Sequence, residues 1–149
     1  MKIAAGYLVK CGDLFLLGRP FGRDNKWTIF KGTQERDESL IQTAIRELKE
    51  ESGIDILSGK IKGLDSPEQY TRIIHKYIME KANKIVYVYL LDLPSGALKN
   101  FKFRCYTNIE DTDDPEISGY QWFTHHELYD ALLLSQKGLA KIARKLVDN

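Results

Sequence analysis

Gly32 to Ile54 reads GTQERDESLIQTAIRELKEESGI, and its second half settles what kind of fold surrounds it. Leu40, Ile41, Ala44, Ile45 and Leu48 recur at spacings of three and four, the period of a helix with one apolar stripe. The spacing predicts a helix over Ser39–Ser52. Asp37 or Ser39 can cap its start, Ser39 with Gln42 fits a capping box, and Gly53 supplies the left-handed residue just past its end.

The same helix carries Glu47, Glu50 and Glu51 in its last turns. At about 100° per residue, Glu47 and Glu51 fall roughly 40° apart on one face, with Glu50 to the same side. A solvated acidic face is the ordinary reading of such a run. Two energies oppose it. The like-charge i,i+3 and i,i+4 pairs each destabilise a helix by roughly 0.2–0.5 kcal/mol. Anions at the negative end of the helix dipole cost about 0.3–1 kcal/mol more. Glu51 also falls in angle between Leu40 and Ala44, at the margin of the buried stripe, where a carboxylate needs a partner to stay ionised. A bound divalent cation answers all three objections. An oxygen-rich set that leaves positions to water and phosphate suits Mg²⁺ or Mn²⁺, not structural zinc.

Outward from this helix, Ile3–Val9 and Leu14–Leu17 read as two strands around a Cys-Gly-Asp turn. A polar loop from Gly18 to Lys26 precedes a short strand, Trp27–Phe30. Further strand signals stand at Ile54–Ile61, Tyr70–Met79, Lys84–Leu93, Phe101–Tyr106 and Gly119–Phe123. Helical patterns close the chain at His126–Leu134 and Gly138–Val147. With no internal repeat or linker, residues 1–149 read as a single α+β or layered α/β/α domain.

Composition narrows the function classes. The chain has 22 Lys and Arg against 21 Asp and Glu, so there is no global attraction for a polyanion, which disfavours extended nucleic-acid binding. The longest apolar run, Ile85–Leu91, is too short to span a bilayer, and the N-terminus has no signal-peptide pattern, so no membrane role and a cytoplasmic location are expected. Cys11 and Cys105 read as reduced thiols, and His125-His126 as a solvated pair, since adjacent side chains diverge.

Gly32, Glu38 and Arg46-Glu47-Leu48-Lys49-Glu50-Glu51-Ser52-Gly53-Ile54 together resemble the Nudix box, G-x5-E-x7-R-E-U-x-E-E-x-G-U with U aliphatic, at every specified position. Chance would produce this on the order of once in a billion windows. The Trp27–Gly32 approach and Glu116 ahead of Trp122-Phe123 resemble family members as well. The resemblance implies the Nudix fold, a mixed sheet between helices, and hydrolysis of a nucleoside diphosphate linked to another moiety, with Mg²⁺ or Mn²⁺ as cofactor. An adenosine dinucleotide such as a diadenosine polyphosphate, or an ADP-ribose- or FAD-like compound, is the expected substrate. The downstream proline of the ADP-ribose subgroup is not in place, Pro67 being near but offset. The alternatives are a hydrolase of nucleoside triphosphates, modified ones above all, or of capped RNA, and a nucleotide-binding module without turnover.

By the same resemblance Glu47, Glu50 and Glu51 are metal ligands, with a main-chain carbonyl at Lys31 or Gly32 completing the shell, and Arg46 orients the glutamates. The general base is Glu47, Glu50 or a later glutamate, for which Glu116 is the candidate. Glu38 has a structural part near the helix start. Lys31, Arg19 and Arg23 are candidates for phosphate binding, since lysine offers a point charge and arginine a fork. Tyr70, some 16 residues past the box, resembles the base-stacking tyrosine of the family's dinucleoside polyphosphate hydrolases. Homodimers are common in parts of the family, and no segment here demands one.

Overall fold

The computed structural model describes residues 1–148. The strands are β1 (Lys2–Cys11), β2 (Leu14–Pro20), β3 (Phe30–Thr33), β4 (Ile73–Met79), β5 (Lys84–Leu93) and β6 (Ile117–Phe123). The helices are α1 (Leu40–Ser52), α2 (Leu128–Ala131) and α3 (Leu139–Asp148). The strands form one six-stranded sheet in the order β4-β5-β1-β2-β6, with β3 added alongside β1. It is mixed: β1 runs parallel to β5 and antiparallel to β2 and β3.

The period of two along β1 explains the layering. Ala5, Tyr7, Val9 and Cys11 join the core beneath α1 with Ala44 and Leu48, whereas Ala4 and Leu8 join the core beneath α3 with Leu139 and Ala143. Both faces of β1 are therefore buried, and the sheet lies between helices as expected.

Four expectations about elements need correction, each because main-chain groups found other partners. Ile54–Ile61 is not a strand. The Asp55 side chain accepts the Leu57 N–H and starts a 3₁₀ turn over Ile56–Ser58, closed by Gly59 at φ +74°. Phe101–Tyr106 is not a strand either, since its Arg104 and Tyr106 N–H groups go to the Ser52 and Glu50 carbonyls at the end of α1. β3 begins at Phe30, not Trp27, because Trp27 and Thr28 make isolated bridges to Leu132 and Gly18. That same pairing, Trp27 N–H to the Ala131 carbonyl and Leu133 N–H to the Trp27 carbonyl, stops α2 at Ala131 instead of Leu134. Elsewhere the differences are of a few residues at element ends.

Cys11 and Cys105 are unbonded to each other, and burial pushes the Cys11 thiol up to about 11. Among the described residues no helix is long and apolar enough to cross a membrane.

Candidate active site

Helix α1 starts with the capping box its sequence predicts: the Gln42 N–H donates to Ser39 Oγ at 3.2 Å and the Ser39 N–H to Gln42 Oε1 at 2.8 Å. It ends at Gly53, φ +82°, whose N–H returns to the Lys49 carbonyl. The last carbonyls of a helix have no partner within it. Here Glu50, Glu51 and Ser52 are served by Tyr106 N–H at 2.6 Å, Tyr120 O–H at 2.5 Å and Arg104 N–H at 3.1 Å. Those three bonds hold the acidic end of α1 at a fixed angle to β6 and to the segment after Leu98.

Against that end lies β3. Glu51 is only 5% exposed, and its carboxylate accepts the Lys31 N–H at 2.8 Å. Gly32 is the next residue on β3, and a Cβ there would stand 2.0–2.3 Å from the Glu47 carboxyl group. The absence of a side chain is what lets Glu47 lie flat against the strand. The box glycine is thus a close-approach residue.

Arg46 organises the other carboxylates. Its Nε donates to Glu38 Oε2 at 2.6 Å and its Nη2 to Glu38 Oε1 at 3.0 Å, a bidentate pair. Nη2 also reaches the Thr33 carbonyl at 3.1 Å. Nη1 serves Glu47 at 2.8 Å and Glu50 at 3.2 Å. The Arg46 hydrogen bonds, with others from the Glu35 main chain and Thr43, hold Glu38 down at about 2, and Arg46 itself is held above the usual guanidinium range. Glu47 and Glu51 move the other way. Burial pushes both up, most strongly Glu51, with Glu47 as its close like-charged neighbour.

These groups open onto a polar cavity of about 430 Å³ lined by Lys31, Gly32, Thr33, Gln34, Glu35, Glu47, Glu50, Glu51, Lys84 and Glu116. Five box or loop carboxylates separated by up to 81 residues in sequence, from Glu35 to Glu116, line one space.

A family model for the NUDIX domain matches residues 2–148 of this chain. The chain belongs to the Nudix family. A curated Nudix relative, the CTP pyrophosphohydrolase of Escherichia coli (strain K12), is 34% identical over 77 residues, which is 50% of this chain and 57% of that protein. The match therefore spans little more than half of the relative's length. Among solved structures, a C. elegans Ap4A hydrolase binary complex superposes with a TM-score of 0.66 at 22% identity, covering 100% of both chains. An ADP-ribose pyrophosphatase from Streptococcus suis 89-1591 superposes at 0.63 with 17% identity, covering 99% of this chain and 90% of that one. At these identities the structures speak for the Nudix fold alone.

The donor chemistry of the Nudix pocket fits a hard divalent cation of the kind the family typically uses. All donors are oxygens, and the buried Glu51 carboxylate faces one N–H and no ion pair. Among the described residues, no three His, Cys, Asp or Glu side chains are already gathered as a formed metal centre. Glu47 and Glu50 are turned toward Arg46 Nη1. Arg46 is anchored through Nε and Nη2 on Glu38 independently of those two carboxylates.

Of the other residues expected from sequence, Lys31 and Glu116 stand in the cavity wall. Three do not. Arg19 Nε donates to Ser118 Oγ at 3.3 Å across the β2–β6 pair, Arg23 is exposed in the turn after Pro20, and neither lines the acidic cavity. Tyr70 lines a separate hollow with Ile56, Leu64, Asp65, Ser66 and Pro67, packs on the core beneath α1, and its carbonyl accepts the Tyr7 O–H. The expectation of phosphate or base contact at these three meets no support from their positions. Lys84, the Thr33 carbonyl and Tyr120 escaped the sequence reading. Lys84 and Tyr120 are brought in by contacts remote in sequence, Lys84 by β5 against β1 and Tyr120 by its O–H to the Glu51 carbonyl, while the Thr33 carbonyl lies beside Gly32 on β3.

Proposed function

We propose that this Nudix protein is a Mg²⁺-dependent pyrophosphohydrolase that cleaves a nucleoside diphosphate linked to another moiety. The observation that carries the reading is the convergence of Glu47, Glu50, Glu51 and Glu116 with Lys31 and Lys84 on one cavity. A divalent cation held by Glu47, Glu50, Glu51 and a main-chain carbonyl at Lys31 or Gly32 would neutralise the pyrophosphate and lower the pKa of the attacking water. Arg46 positions Glu47 and Glu50. Lys31 binds phosphate oxygens. The proton of the water passes to Glu47, Glu50 or Glu116, each within the same cavity. No protein nucleophile is needed.

Adenosine dinucleotides remain one substrate reading, resting on the family resemblance. The 34% match to a CTP pyrophosphohydrolase favours a second, a nucleoside triphosphate, in which the second moiety is phosphate. Tyr70, the residue that argued for dinucleotides, stands outside the cavity. Hydrolysis of CTP and other nucleoside triphosphates, diadenosine polyphosphates, ADP-ribose, FAD and capped RNA in Mg²⁺, with products identified by mass, tests both. Triphosphates cleaved to monophosphate and pyrophosphate with the highest kcat/KM support the second reading; preference for a dinucleotide reverses it. Tight nucleotide binding without product from any substrate rejects catalysis.

A further inference from the structure

Glu51 is tied to the sheet at both ends of the residue. Its carboxylate accepts the Lys31 N–H on β3 at 2.8 Å, and its carbonyl accepts the Tyr120 O–H on β6 at 2.5 Å. The carbonyls on either side of it, those of Glu50 and Ser52, take the main-chain N–H groups of Tyr106 and Arg104. Of the three donors at this helix end, Tyr120 alone acts through its side chain, so its bond depends on how that side chain is packed.

The Tyr120 ring lies 6.0 Å from the Phe30 ring and 5.3 Å from the Phe103 ring, centroid to centroid. Phe30 is fully buried and directly precedes Lys31 on β3. The contacts therefore close a circuit: Lys31 to the Glu51 carboxylate, the Glu51 carbonyl to the Tyr120 hydroxyl, and the Tyr120 ring back to Phe30. A single hydrogen bond lets the last turn of α1 pivot about it, whereas a closed circuit fixes the separation of that turn from β3. Electrostatics alone works against this closeness, because Glu47 and Glu51 are near like charges at the negative end of the helix dipole.

We propose that Tyr120 is a positioning residue: its hydroxyl, by holding the Glu51 carbonyl, keeps the Glu51 carboxylate turned to β3 and the acidic cavity, and so sets the affinity for a divalent cation without touching cation or substrate. The inference rests on Glu47, Glu50 and Glu51 being the cation ligands. Groups that orient a metal ligand from behind are worth about 10–100-fold in metal affinity or activity when removed. Tyr7 supplies the matched comparison. Its O–H also donates to a main-chain carbonyl, that of Tyr70 at 2.9 Å, from a buried ring that packs on a second aromatic, Tyr89, but Tyr70 lies outside the acidic cavity.

The test measures Mn²⁺ binding to the full chain without nucleotide, by calorimetry and by electron paramagnetic resonance of the free ion, for wild type, Tyr120→Phe and Tyr7→Phe. Each variant keeps its ring and loses one hydroxyl. Tyr120→Phe weakens Mn²⁺ binding at least about 10-fold, whereas Tyr7→Phe stays within about 2-fold of wild type, whatever either does to the melting temperature. A smaller loss in Tyr120→Phe, or an equal loss in Tyr7→Phe, overturns the proposal. If Tyr120→Phe does not fold, Phe103→Leu takes its place: the hydroxyl stays but its ring loses one flanking ring, and Mn²⁺ binding weakens at least about 3-fold, a smaller loss overturning the proposal. Turnover is read separately. A wild type that binds Mn²⁺ and hydrolyses nucleotides while Tyr120→Phe binds Mn²⁺ as wild type does removes this inference alone. A wild type that binds no Mn²⁺ removes the cation reading and this inference with it, and a Mn²⁺ loss confined to Tyr120→Phe in a protein without turnover upholds the inference and removes only the catalytic reading.

Discussion

The carboxylate of Glu51 accepts the main-chain N–H of Lys31 at 2.8 Å while 95% of the residue is out of solvent, which ties the acidic end of α1 to β3 through a charge the fold itself leaves unpaired. Glu51→Gln keeps an oxygen for that N–H and removes the charge. It should lower Mg²⁺-dependent turnover by at least about 10²-fold and leave the melting temperature unchanged or raised, because a like-charge contact with Glu47 disappears. Activity assays beside thermal melts decide it. A large fall in melting temperature would make Glu51 a structural residue.

Gly32 predicts a different signature. A methyl group there must push the Glu47 carboxyl group aside, since it would stand 2.0–2.3 Å away. Gly32→Ala should cut kcat at least 10²-fold and weaken Mg²⁺ dependence together, with a stability change of only about 1–3 kcal/mol. Loss of folding without a specific loss of metal response would contradict the close-approach role.

Glu38 gives the pH signature. Its carboxyl is held down at about 2, chiefly by Arg46, from an ordinary 4.5. A depressed carboxylate contributes stability that is present above its unfolded pKa and is lost as pH falls through the folded one. Glu38→Gln should therefore destabilise by about 1–2 kcal/mol at pH 6–7, the bond being partly screened at the surface, and the gap to wild type should close between pH 4.5 and 2. Denaturant melts across that range measure it. A gap independent of pH would mean that packing, not charge, is lost.

The α1 stripe, the Ser39–Gln42 box and Gly53 were legible because helix ends carry local chemistry. The clash of like charges at Glu47, Glu50 and Glu51 was legible for the same reason. Arg104 and Tyr106 were not. Their β-rich segment looks like a strand until the unpaired carbonyls of α1 are seen to claim its N–H groups, and that competition is tertiary. Lys84 was invisible because a lysine at a strand start is ordinary until β5 is laid beside β1. Tyr70 was named through spacing alone, and that spacing could not show that the 3₁₀ turn at Pro67–Gln69 sets it in another hollow.

That placement of Tyr70 carries its own expectation. Tyr70→Ala removes an aromatic packed on the core and should cost about 1–3 kcal/mol of stability, with KM for every nucleotide within about 2-fold of wild type. A selective rise in KM for dinucleotides would return Tyr70 to the substrate site.

If the α1 carboxylates work through a divalent cation on a nucleotide pyrophosphate, turnover must depend on that cation and on Glu47 together. The direct measurement is a Mg²⁺ titration of CTP and diadenosine polyphosphate hydrolysis by wild type and by Glu47→Gln, with products identified by mass. Saturable, Mg²⁺-dependent cleavage of a pyrophosphate bond, reduced at least about 10²-fold in a variant that melts as wild type does, is the predicted result. Hydrolysis that persists without divalent metal, or that Glu47→Gln leaves intact, would contradict it.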